Sequence, residues 1–444
     1  MGLLTILKRK KYWINDFLNK GGMWEDFKEI RYIYENPIKG EIIREKRLNE
    51  LLCFAKKNVS FYKKWNGQLN SLNDFPVVNK QTYLQNYADF LTPKELIPGQ
   101  KGELHIQRTS GSTGTPFELP QDTRCRTRRI ATIKFGNELI GFHSFEPMVH
   151  LRSLKHYYKG NPTIVHNKDL NITYIDNAEL NDTKINDIIN AINNTKAKVV
   201  RGYTTAIDTI CSYAISHRIK LDCHPTFITG GEVLLESLRL KIINELHCNV
   251  ISQYANEENG VFGQTELNKK GTSIILNRAC CFLEILKFDR DEPAAPGELG
   301  RIVVTDFTNY ALPMIRYDIG DVASTGKIEN GILMSIDNLA GRKTDMVYNT
   351  SGQLIDLFNS ISAEVYNNIK IQQWQFIQEG EKEYILRLVT SDMGVKNIPH
   401  HFELLMKDLL GQDAIVKIEY PEEIPVLNSG KRKIVICKYQ KLIA

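Results

Sequence analysis

The 444-residue sequence lacks several features that would each assign it to a particular class of protein. No apolar run reaches the ~20 residues that a transmembrane helix needs. No Cys-x-x-Cys pair occurs among the eight cysteines, and no internal repeat or low-complexity segment is present. No stripe of basic and aromatic side chains stands out, and a net charge of +5 is small for this length. These absences favour a globular protein with reduced thiols and no nucleic-acid partner.

Two local clusters have ordinary explanations. The spacing of His247, Cys248, Cys280 and Cys281 matches no zinc-ligand template, and buried cysteine usually acts as a small hydrophobe, so we do not expect a structural zinc. The basic cluster 8–11 could make a weak contact with an anionic membrane, but a solvated helix end is favoured because stable anchoring takes two signals. Without a secretory signal pattern, we expect a cytoplasmic protein, either a monomer or a homodimer.

The middle of the chain alternates between strand and helix patterns. The apolar stripe of Ile188, Ile189 and Ile192 predicts a helix, and strand-like segments around residues 196–203, 225–232 and 248–254 are separated by further helices. This alternation predicts a largely parallel sheet with right-handed crossovers. Ligands bind beyond the carboxyl ends of strands in such sheets, and the loops that follow these strands are rich in small and polar residues.

Two domains are expected for a chain of this length. Residues 1–340 are predicted to form a large α/β domain, whose first 100 residues are helical and whose part after residue 272 is a small β-rich subdomain. Residues 341–444 are predicted to form a small, mobile α+β domain that includes a short helix at 361–369. The predicted fold class is therefore α/β, with mainly parallel sheets flanked by helices and a C-terminal lid.

The segment Thr109–Pro116 is the sharpest chemical signal in the sequence. It reads TSGSTGTP, and a loop of glycine and hydroxyl residues can wrap backbone N–H and side-chain O–H donors around phosphate oxygens. It is neither a Walker P-loop, because it lacks the Gly-Lys-Ser/Thr ending, nor the G-x-S-x-G turn of a serine hydrolase. Such a run can also be a plain surface linker, so its meaning depends on other motifs.

Several further motifs follow in order: TGGE, QYANEE, IRYDIGD, GRKTD and NSGKRK. Together with TSGSTGTP, this set resembles the adenylate-forming superfamily of acyl-CoA synthetases, adenylation domains and luciferases over residues 105–435. Within the superfamily the chain is most similar to the phenylacetate–CoA ligase branch, and especially to CapK-type proteins associated with capsular polysaccharide synthesis. The resemblance implies ATP and Mg²⁺ as cofactors, CoA as one possible acceptor, and a small carboxylate as substrate.

The resemblance also implies roles for individual residues. Thr109, Ser110, Gly111, Ser112, Thr113, Gly114 and Thr115 would bind the phosphates, with Thr113 also catalytic. Gly230, Gly231, Glu232 and Tyr254 would contact the adenine, Asp321 the ribose hydroxyls, and Arg342 the ribose and phosphate. Glu257 would hold Mg²⁺, and Lys431 would reach in from the small domain during adenylation, where a compact cation suits the developing charge.

Alternatives remain open at several positions. Glu258 neighbours Glu257 and could be the metal ligand instead, and either Thr344 or Asp345 would be the hinge. An acyl pocket is expected between Tyr203, Thr204, Thr205, Thr229, Gln253 and Asn256. Arg124, Arg126, Arg128 and Arg129 are interpreted as a charged helix face, with an anionic acceptor as the alternative.

The sequence also departs from the superfamily pattern. Phe117 and Glu118 stand where the phosphate loop usually continues to a lysine, and Tyr254-Ala255 replaces the usual Tyr-Gly. The expected function is adenylation of a carboxylic acid followed by acyl transfer, within cell-surface polysaccharide synthesis. A CoA ligase and a non-catalytic nucleotide-binding regulator are the rival functions.

Overall fold

The structure, a computed structural model, describes residues 3–65, 68–108, 117–154, 158, 160, 162–269, 273–343, 346–355, 357, 361, 371–390, 398–425 and 433–439. The described helices are α1 (Leu3–Leu18), α2 (Met23–Glu35), α3 (Pro37–Asn58), α4 (Ser60–Lys63), α5 (Lys80–Gln85), α6 (Tyr87–Phe90), α7 (Thr123–Glu138), α8 (Asp182–Thr195), α9 (Thr204–Ser216), α10 (Glu236–Leu240) and α11 (Ile398–Leu410). A π-helical turn, Lys241–Glu245, continues α10. None of these helices combines the length and apolar composition that crossing a bilayer requires.

The strands of the described residues fall into an N-terminal and a C-terminal series. The first comprises β1 (Val78–Asn79), β2 (His105–Arg108), β3 (Glu118–Gln121), β4 (Met148–Leu151), β5 (Ile164–Asn167), β6 (Ile172–Ile175), β7 (Val199–Tyr203), β8 (Thr226–Gly230), β9 (Asn249–Asn256), β10 (Gly260–Gln264), β11 (Ile274–Leu276), β12 (Cys281–Leu286), β13 (Leu299–Asp306) and β14 (Tyr317–Thr325). The second comprises β15 (Ile328–Glu329), β16 (Ile332–Leu333), β17 (Ser335–Arg342), β18 (Val347–Tyr348), β19 (Leu354–Ile355), β20 (Ile371–Gln378), β21 (Glu383–Thr390), β22 (Ile415–Glu419) and β23 (Val435–Cys437).

One mixed sheet of 13 strands organises most of the chain. Its order is β12-β13-β14-β17-β11-β10-β9-β8-β7-β4-β6-β5, and β1 pairs with β14. The strands β9, β8, β7, β4 and β6, which are neighbours in this order, pair in parallel, as the alternation of strands and helices predicts. The apolar stripe of α8, with Ile188, Ile189 and Ile192, is buried against these strands, because its spacing places all three side chains on one helical face.

The β-rich part after residue 272 continues this same sheet. Strands β10 to β14 and β17 pair antiparallel with their neighbours, so the parallel strands and the antiparallel strands share one hydrogen-bonded path. Their inward side chains form a core with the N-terminal helices α3 and α5, which include Leu51 and Tyr83. The helical N-terminal segment thus covers the antiparallel half of the sheet.

A four-stranded sheet, in the order β22-β21-β20-β23, forms the C-terminal part together with α11. Its core contains Trp374, Phe376 and Phe402. Two side chains of the loop between β8 and α10, Val233 and Leu235, also pack against this core. The predicted strands and α11 match the structure, whereas the helix predicted at 361–369 lies, apart from residue 361, outside the described residues.

Two of the four arginines on α7 are internal, in contrast to the charged helix face that the sequence predicts. The Arg128 side chain is 1% exposed and forms ion pairs with Asp26 and Glu29 of α2 at 2.8 Å each. Arg129 donates a hydrogen bond to the carbonyl oxygen of Glu257 at 3.0 Å. Helical periodicity alone could not reveal these partners, because α2 is about a hundred residues away in sequence.

The cysteine and histidine cluster is dispersed over the fold. Cys248 packs in the core between the parallel strands and α8–α9, whereas Cys281 packs in the core beneath the N-terminal helices. Cys280 lies 3.1 Å from the hydroxyl of Thr132. Cys248 and Cys281 therefore belong to different hydrophobic cores, and Cys280 lies beside a polar group.

Candidate nucleotide-binding site

The carboxyl ends of β7, β8 and β9 lie side by side. Tyr203 is opposite Gly230 across one pair of strands, and Gly230 is opposite Gln253 across the next. A Cβ on Gly230 would approach the carbonyl oxygen of Gln253 to 3.3 Å, and Gly231 has a φ of +75°. This bare backbone leaves an open edge at which a planar ring could lie.

The carboxylate of Glu232 connects two of these loops. Its Oε2 accepts hydrogen bonds from the backbone N–H and the hydroxyl of Thr205, both at 2.9 Å. The Glu232 carbonyl oxygen accepts a further bond from the hydroxyl of Thr204 at 3.0 Å. A negative charge at the first turn of α9 is favourable because it meets unpaired N–H groups and the positive end of the helix dipole. Glu232 therefore holds the loop after β8 against the start of α9.

A second set of predicted residues meets at Tyr254, which directly follows Gln253 in β9. The hydroxyl of Tyr254 donates to Oδ2 of Asp321 at 2.8 Å, and Nε of Arg342 lies 2.9 Å from Oδ1 of the same carboxylate. Asp321 and Arg342 are directly opposite each other on β14 and β17. We call Tyr254, Asp321, Arg342 and the nearby Glu258 the nucleotide cluster.

The surroundings of Tyr254 and Arg342 keep the first neutral and the second charged at neutral pH. Burial, and then the neighbouring Asp321, raise the pKa of Tyr254 well above its usual value, so its hydroxyl remains a donor. Asp321 raises the pKa of the Arg342 guanidinium; burial opposes this rise and Glu258 adds to it. The Asp321 carboxylate, which accepts from Tyr254 on one oxygen and pairs with Arg342 on the other, is thereby held in one orientation.

The two adjacent glutamates occupy different surroundings. The exposed Glu257 accepts a hydrogen bond from the side chain of Gln107 at 2.8 Å. Glu258 is half-buried and acts electrostatically on Arg342 and Tyr317 of the site wall. Arg129 of α7 bonds the carbonyl oxygens of both residues, which fixes the turn that carries them. Of the two glutamates, Glu258 is thus the one that acts on Arg342, although sequence register favours Glu257 as the metal ligand.

Three predicted segments lie outside the described residues: the phosphate loop 109–116, the hinge pair Thr344 and Asp345, and Lys431. The strands that flank the phosphate loop are described, and β2 and β3 form an antiparallel hairpin in which Arg108 is opposite Glu118. Gln107, which bonds Glu257, is in β2. The stem of the loop therefore adjoins the turn with the two glutamates.

The residues predicted for the acyl pocket do not form one lining. Thr229 is 0% exposed and donates its hydroxyl to the carbonyl oxygen of Ile251 at 3.2 Å, so it does not face the edge. The first four residues of β8 are all buried, so both faces of this strand are covered. Gln253 is also buried and bonds Arg201, while Asn256 bonds Asn259 within the turn after β9. Tyr203 and Thr204 remain at the edge.

Sequence reasoning did not single out Arg201, which lies two residues before the end of β7. Its guanidinium donates to Oε1 of Gln253 at 2.9 Å and to Oδ1 of Asn137 at 3.2 Å. Burial lowers its pKa to about 10, so it remains charged at neutral pH. The only available signal was a cation inside an otherwise apolar strand pattern, which is unusual unless the charge has a partner.

Comparisons with known proteins agree with this geometry. Residues 347–438 match the family described as the CapK C-terminal domain. The chain is 24% identical over 423 residues to the Protein CapK of Staphylococcus aureus, covering 89% of this chain and 88% of that protein. These matches confirm the resemblance to CapK-type proteins that the sequence motifs indicate.

Several solved structures that resemble this chain are ligases. A 2-hydroxyisobutyryl-CoA ligase, in the postadenylation state with 2-HIB-AMP, superposes with a TM-score of 0.69 at 17% identity, covering 90% of each chain. The amide bond synthetase McbA from Marinactinospora thermotolerans gives a TM-score of 0.53 at 14% identity, covering 74% of this chain and 66% of that one. The large mixed sheet with its small C-terminal sheet is therefore the fold of adenylate-forming ligases.

Proposed function

We propose that this protein is an ATP-dependent ligase that converts a carboxylic acid into an acyl-adenylate and then transfers the acyl group to an acceptor in capsular or other cell-surface polysaccharide synthesis. In the first step a carboxylate oxygen attacks the α-phosphorus of ATP, and the bond to pyrophosphate breaks. In the second step a nucleophile of the acceptor attacks the acyl carbon, and AMP leaves with the bonding electron pair. The similarity to the Protein CapK of Staphylococcus aureus supports the polysaccharide context.

The observation that carries this proposal is the hydrogen-bonded contact of Tyr254 and Arg342 with Asp321 beside the bare backbone of Gly230 and Gly231. A carboxylate suits a ribose diol because each of its oxygens can accept more than one hydrogen bond, and a glycine edge suits an adenine ring. Arg342, on the same carboxylate, supplies positive charge where phosphates would approach. Gly230 is the last residue of the parallel strand β8, and α/β proteins bind their ligands at such strand ends, which supports the proposal.

Charge must be neutralised when one anion attacks another. Glu258, with Glu257 as the alternative, would hold Mg²⁺, which when bound offsets negative charge on the phosphates. Lys431 would contribute the second cation from the C-terminal part, and the small domain would swing about Thr344 or Asp345 between the two steps. Val233 and Leu235 pack against the C-terminal core and follow Glu232 in the same loop. This contact supports an approach of the C-terminal part to the nucleotide site.

Isotope exchange between pyrophosphate and ATP tests the first step. A screen over aromatic, short-chain, hydroxy and amino acids should find an acid that supports exchange. Asp321→Asn should raise the KM for ATP roughly 10- to 100-fold, which is the cost of weakening a charge-assisted hydrogen bond. ATP binding without pyrophosphate release for any acid would instead assign the chain a regulatory role.

A variant of Lys431 tests the division of labour between the two steps. Lys431→Ala should abolish exchange but leave acyl transfer from supplied acyl-AMP intact. Lys438→Ala, which removes an exposed lysine paired with Glu379 in the same tail, is the matched control and should retain both steps. Equal loss of both steps in Lys431→Ala would contradict the proposed role.

The acceptor requires a separate measurement, since the structural relatives include a CoA ligase and an amide bond synthetase. Once an acid is known, the consumption of CoA and of amino sugars should be compared under the same conditions. We expect acyl transfer to a sugar amine or hydroxyl. Thioester formation as the faster reaction would support the CoA ligase instead.

A further inference from the structure

Helix α1 presents a large apolar surface away from the rest of the protein. Leu4 is 81% and Leu18 69% exposed, and none of the residues of α1 is buried. At 100° per residue, one continuous arc of the helix contains the exposed apolar residues Leu3, Leu4, Leu7, Ile14, Phe17 and Leu18. We call this arc the outer face. Leu3, Leu4 and Leu7 lie near the start of this arc and Ile14, Phe17 and Leu18 near its end, with Lys10 and Lys11 between them. Exposed apolar surface of this extent on a globular protein usually marks an interaction site.

The opposite face of α1 attaches the helix to the body. The ring of Trp13 lies 5.0 Å from that of Trp24 and 5.2 Å from that of Phe27, both in α2. Tyr12 packs against Phe145 at 5.7 Å. The orientation of α1 is therefore set by aromatic contacts on its inner face, and the outer face is left toward solvent.

The charges on α1 are distributed asymmetrically. Lys8, Lys10 and Lys11 are exposed on or beside the outer face, and Lys8 also donates to the carbonyl oxygen of Asp169 at 3.2 Å. The acidic residue of the helix, Asp16, is turned inward, where its carboxylate accepts the backbone N–H of Trp24 at 2.8 Å. The outer face thus combines leucine, isoleucine and phenylalanine side chains with positive charge alone.

We propose that the outer face of α1 docks on an anionic lipid bilayer, with its apolar side chains inserted at the headgroup boundary and its lysines near the lipid phosphates. A helix with an apolar face and flanking lysines has the composition of an interfacial helix that lies in the membrane plane. Each lysine near an anionic surface contributes about 1 kcal/mol. A second copy of the chain fits this face less well, because a twofold contact would oppose lysine to lysine.

Sedimentation of the full-length protein with vesicles tests this proposal. The protein should bind vesicles of phosphatidylcholine with phosphatidylserine, and binding should weaken as the salt concentration rises. Leu7→Glu with Phe17→Glu should abolish binding. Lys10→Gln with Lys11→Gln should weaken it about 30-fold on the anionic vesicles, as expected for the loss of two charges.

The controls separate lipid binding from folding and from self-association. The side chains of the outer face are exposed, so these variants should unfold at the wild-type temperature. Ile415→Glu, on a similarly exposed isoleucine of the C-terminal sheet, should leave vesicle binding unchanged. Failure of the wild type to bind anionic vesicles would overturn the proposal. So would a dimer detected by light scattering that Leu7→Glu dissociates, since the second copy would then cover the face.

A second inference concerns Arg201 and rests on the proposed function. Across the strand pair β4–β7, His150 is opposite Arg201. Burial, and then Arg201 and Arg152, lower the pKa of His150 to about 3, so the imidazole is neutral. The recorded partners of the Arg201 guanidinium are the neutral amides of Gln253 and Asn137, and within the described residues no ion pair joins it to a carboxylate. A half-buried cation with neutral partners alone is energetically costly, and an anion would relieve that cost.

The geometry points to Arg201 as the recognition group for a second carboxylate on the acid substrate. It lies beneath the edge formed by Tyr203, Gly230 and Gln253, where the acyl group is expected. Pairs of dicarboxylic acids and their monomethyl esters should therefore differ in pyrophosphate exchange, with the diacid favoured about 100-fold. Arg201→Met should remove this preference and leave the KM for ATP unchanged.

The stability of Arg201→Met provides an independent readout. Removing an uncompensated charge should leave the unfolding temperature unchanged or raise it, and a diacid should raise that of the wild type alone. Exchange that occurs with monoacids and esters as readily as with diacids would overturn the inference about Arg201 but support the proposed function. Absence of exchange with every acid would instead contradict the proposed function itself.

Discussion

The hydrogen bond between Tyr254 and Asp321 connects residues that are 67 positions apart in sequence. Tyr254→Phe removes the donor but keeps the ring, which packs against Phe262. We expect a loss of about 1–2 kcal/mol in the free energy of unfolding and a raised KM for ATP, because Asp321 loses one of its fixed partners. Urea denaturation and exchange kinetics measure the two effects. Tyr310→Phe, a change in another buried tyrosine, is the control and should have the smaller effect on KM.

Lys134 allows a prediction for pH dependence. Burial lowers its pKa to about 8, whereas in the unfolded chain it titrates near 10.5. Between these values the unfolded state binds more protons than the folded state, so this residue makes the protein more stable as pH rises. The difference in unfolding free energy between wild type and Lys134→Met should change by up to about 3 kcal/mol from pH 8 to pH 10.5. A difference that stays constant with pH would contradict this prediction.

Single residues were the least predictable part of the site. Motif order indicated Tyr254, Asp321 and Arg342, and the structure brings all three together. The choice between Glu257 and Glu258 depends on the direction of each side chain in a turn, which Arg129 determines from another element. Thr229, predicted to line the acyl pocket, is buried in a strand with both faces covered, where sequence does not reveal which side chains reach the edge.

At the scale of elements, the first turn of α9 depends on its bonds to Glu232. Thr205→Val removes the hydroxyl donor but keeps the shape of the side chain, so the loop after β8 loses one of its attachments. We expect about 1 kcal/mol of destabilisation and a weaker affinity for ATP. Thr209→Val removes only a bond within the same helix and should change neither quantity appreciably. Nucleotide titration and thermal unfolding of the two variants check this.

The parallel strands were predictable because their signals are local. Apolar stripes and short β-rich segments in β7, β8, β9 and α8 specify each element, and short crossovers then specify their order. The antiparallel strands were predictable as strands but not as neighbours. Strand β11 lies between β10 and β17 in the sheet. Nothing local indicates its pairing with β17, since the paired residues are more than 50 positions apart. The joining of both halves in one sheet brings Asp321 to Tyr254.

At the scale of the whole molecule, the contact of Leu235 with the C-terminal core links the two sheets. Leu235→Ser should weaken that contact by about 1–2 kcal/mol. We expect slower adenylation, because the C-terminal part is held less often against the site, and unchanged acyl transfer from supplied acyl-AMP. Leu404→Ser, on the exposed side of α11, should affect neither step. Rapid-quench measurement of the separate steps distinguishes these outcomes.

The position of the C-terminal part relative to the large sheet is the feature of the fold that the sequence predicts least well. The composition of residues 371–437 predicts strands and a helix that bury one another, and the structure contains them. Val233 and Leu235, in the loop after β8, pack against the core of the C-terminal sheet. The sequence pattern of this loop does not indicate that contact. Surface contacts of this size involve few residues, so they leave little trace in hydrophobic periodicity.

Arg342 is both the ion-pair partner of Asp321 and the last residue of β17, where the chain leaves the large sheet. On the proposed function, a bound ribose would compete with Arg342 for Asp321. It would therefore act on the segment that leads from β17 into the C-terminal part. The affinity of the site for AMP and the orientation of the C-terminal part would then be coupled. An orientation that raises the affinity for AMP would itself be stabilised when AMP binds. A fluorophore pair on the two sheets should report AMP binding in the wild type, and Arg342→Ala should uncouple that signal from nucleotide affinity.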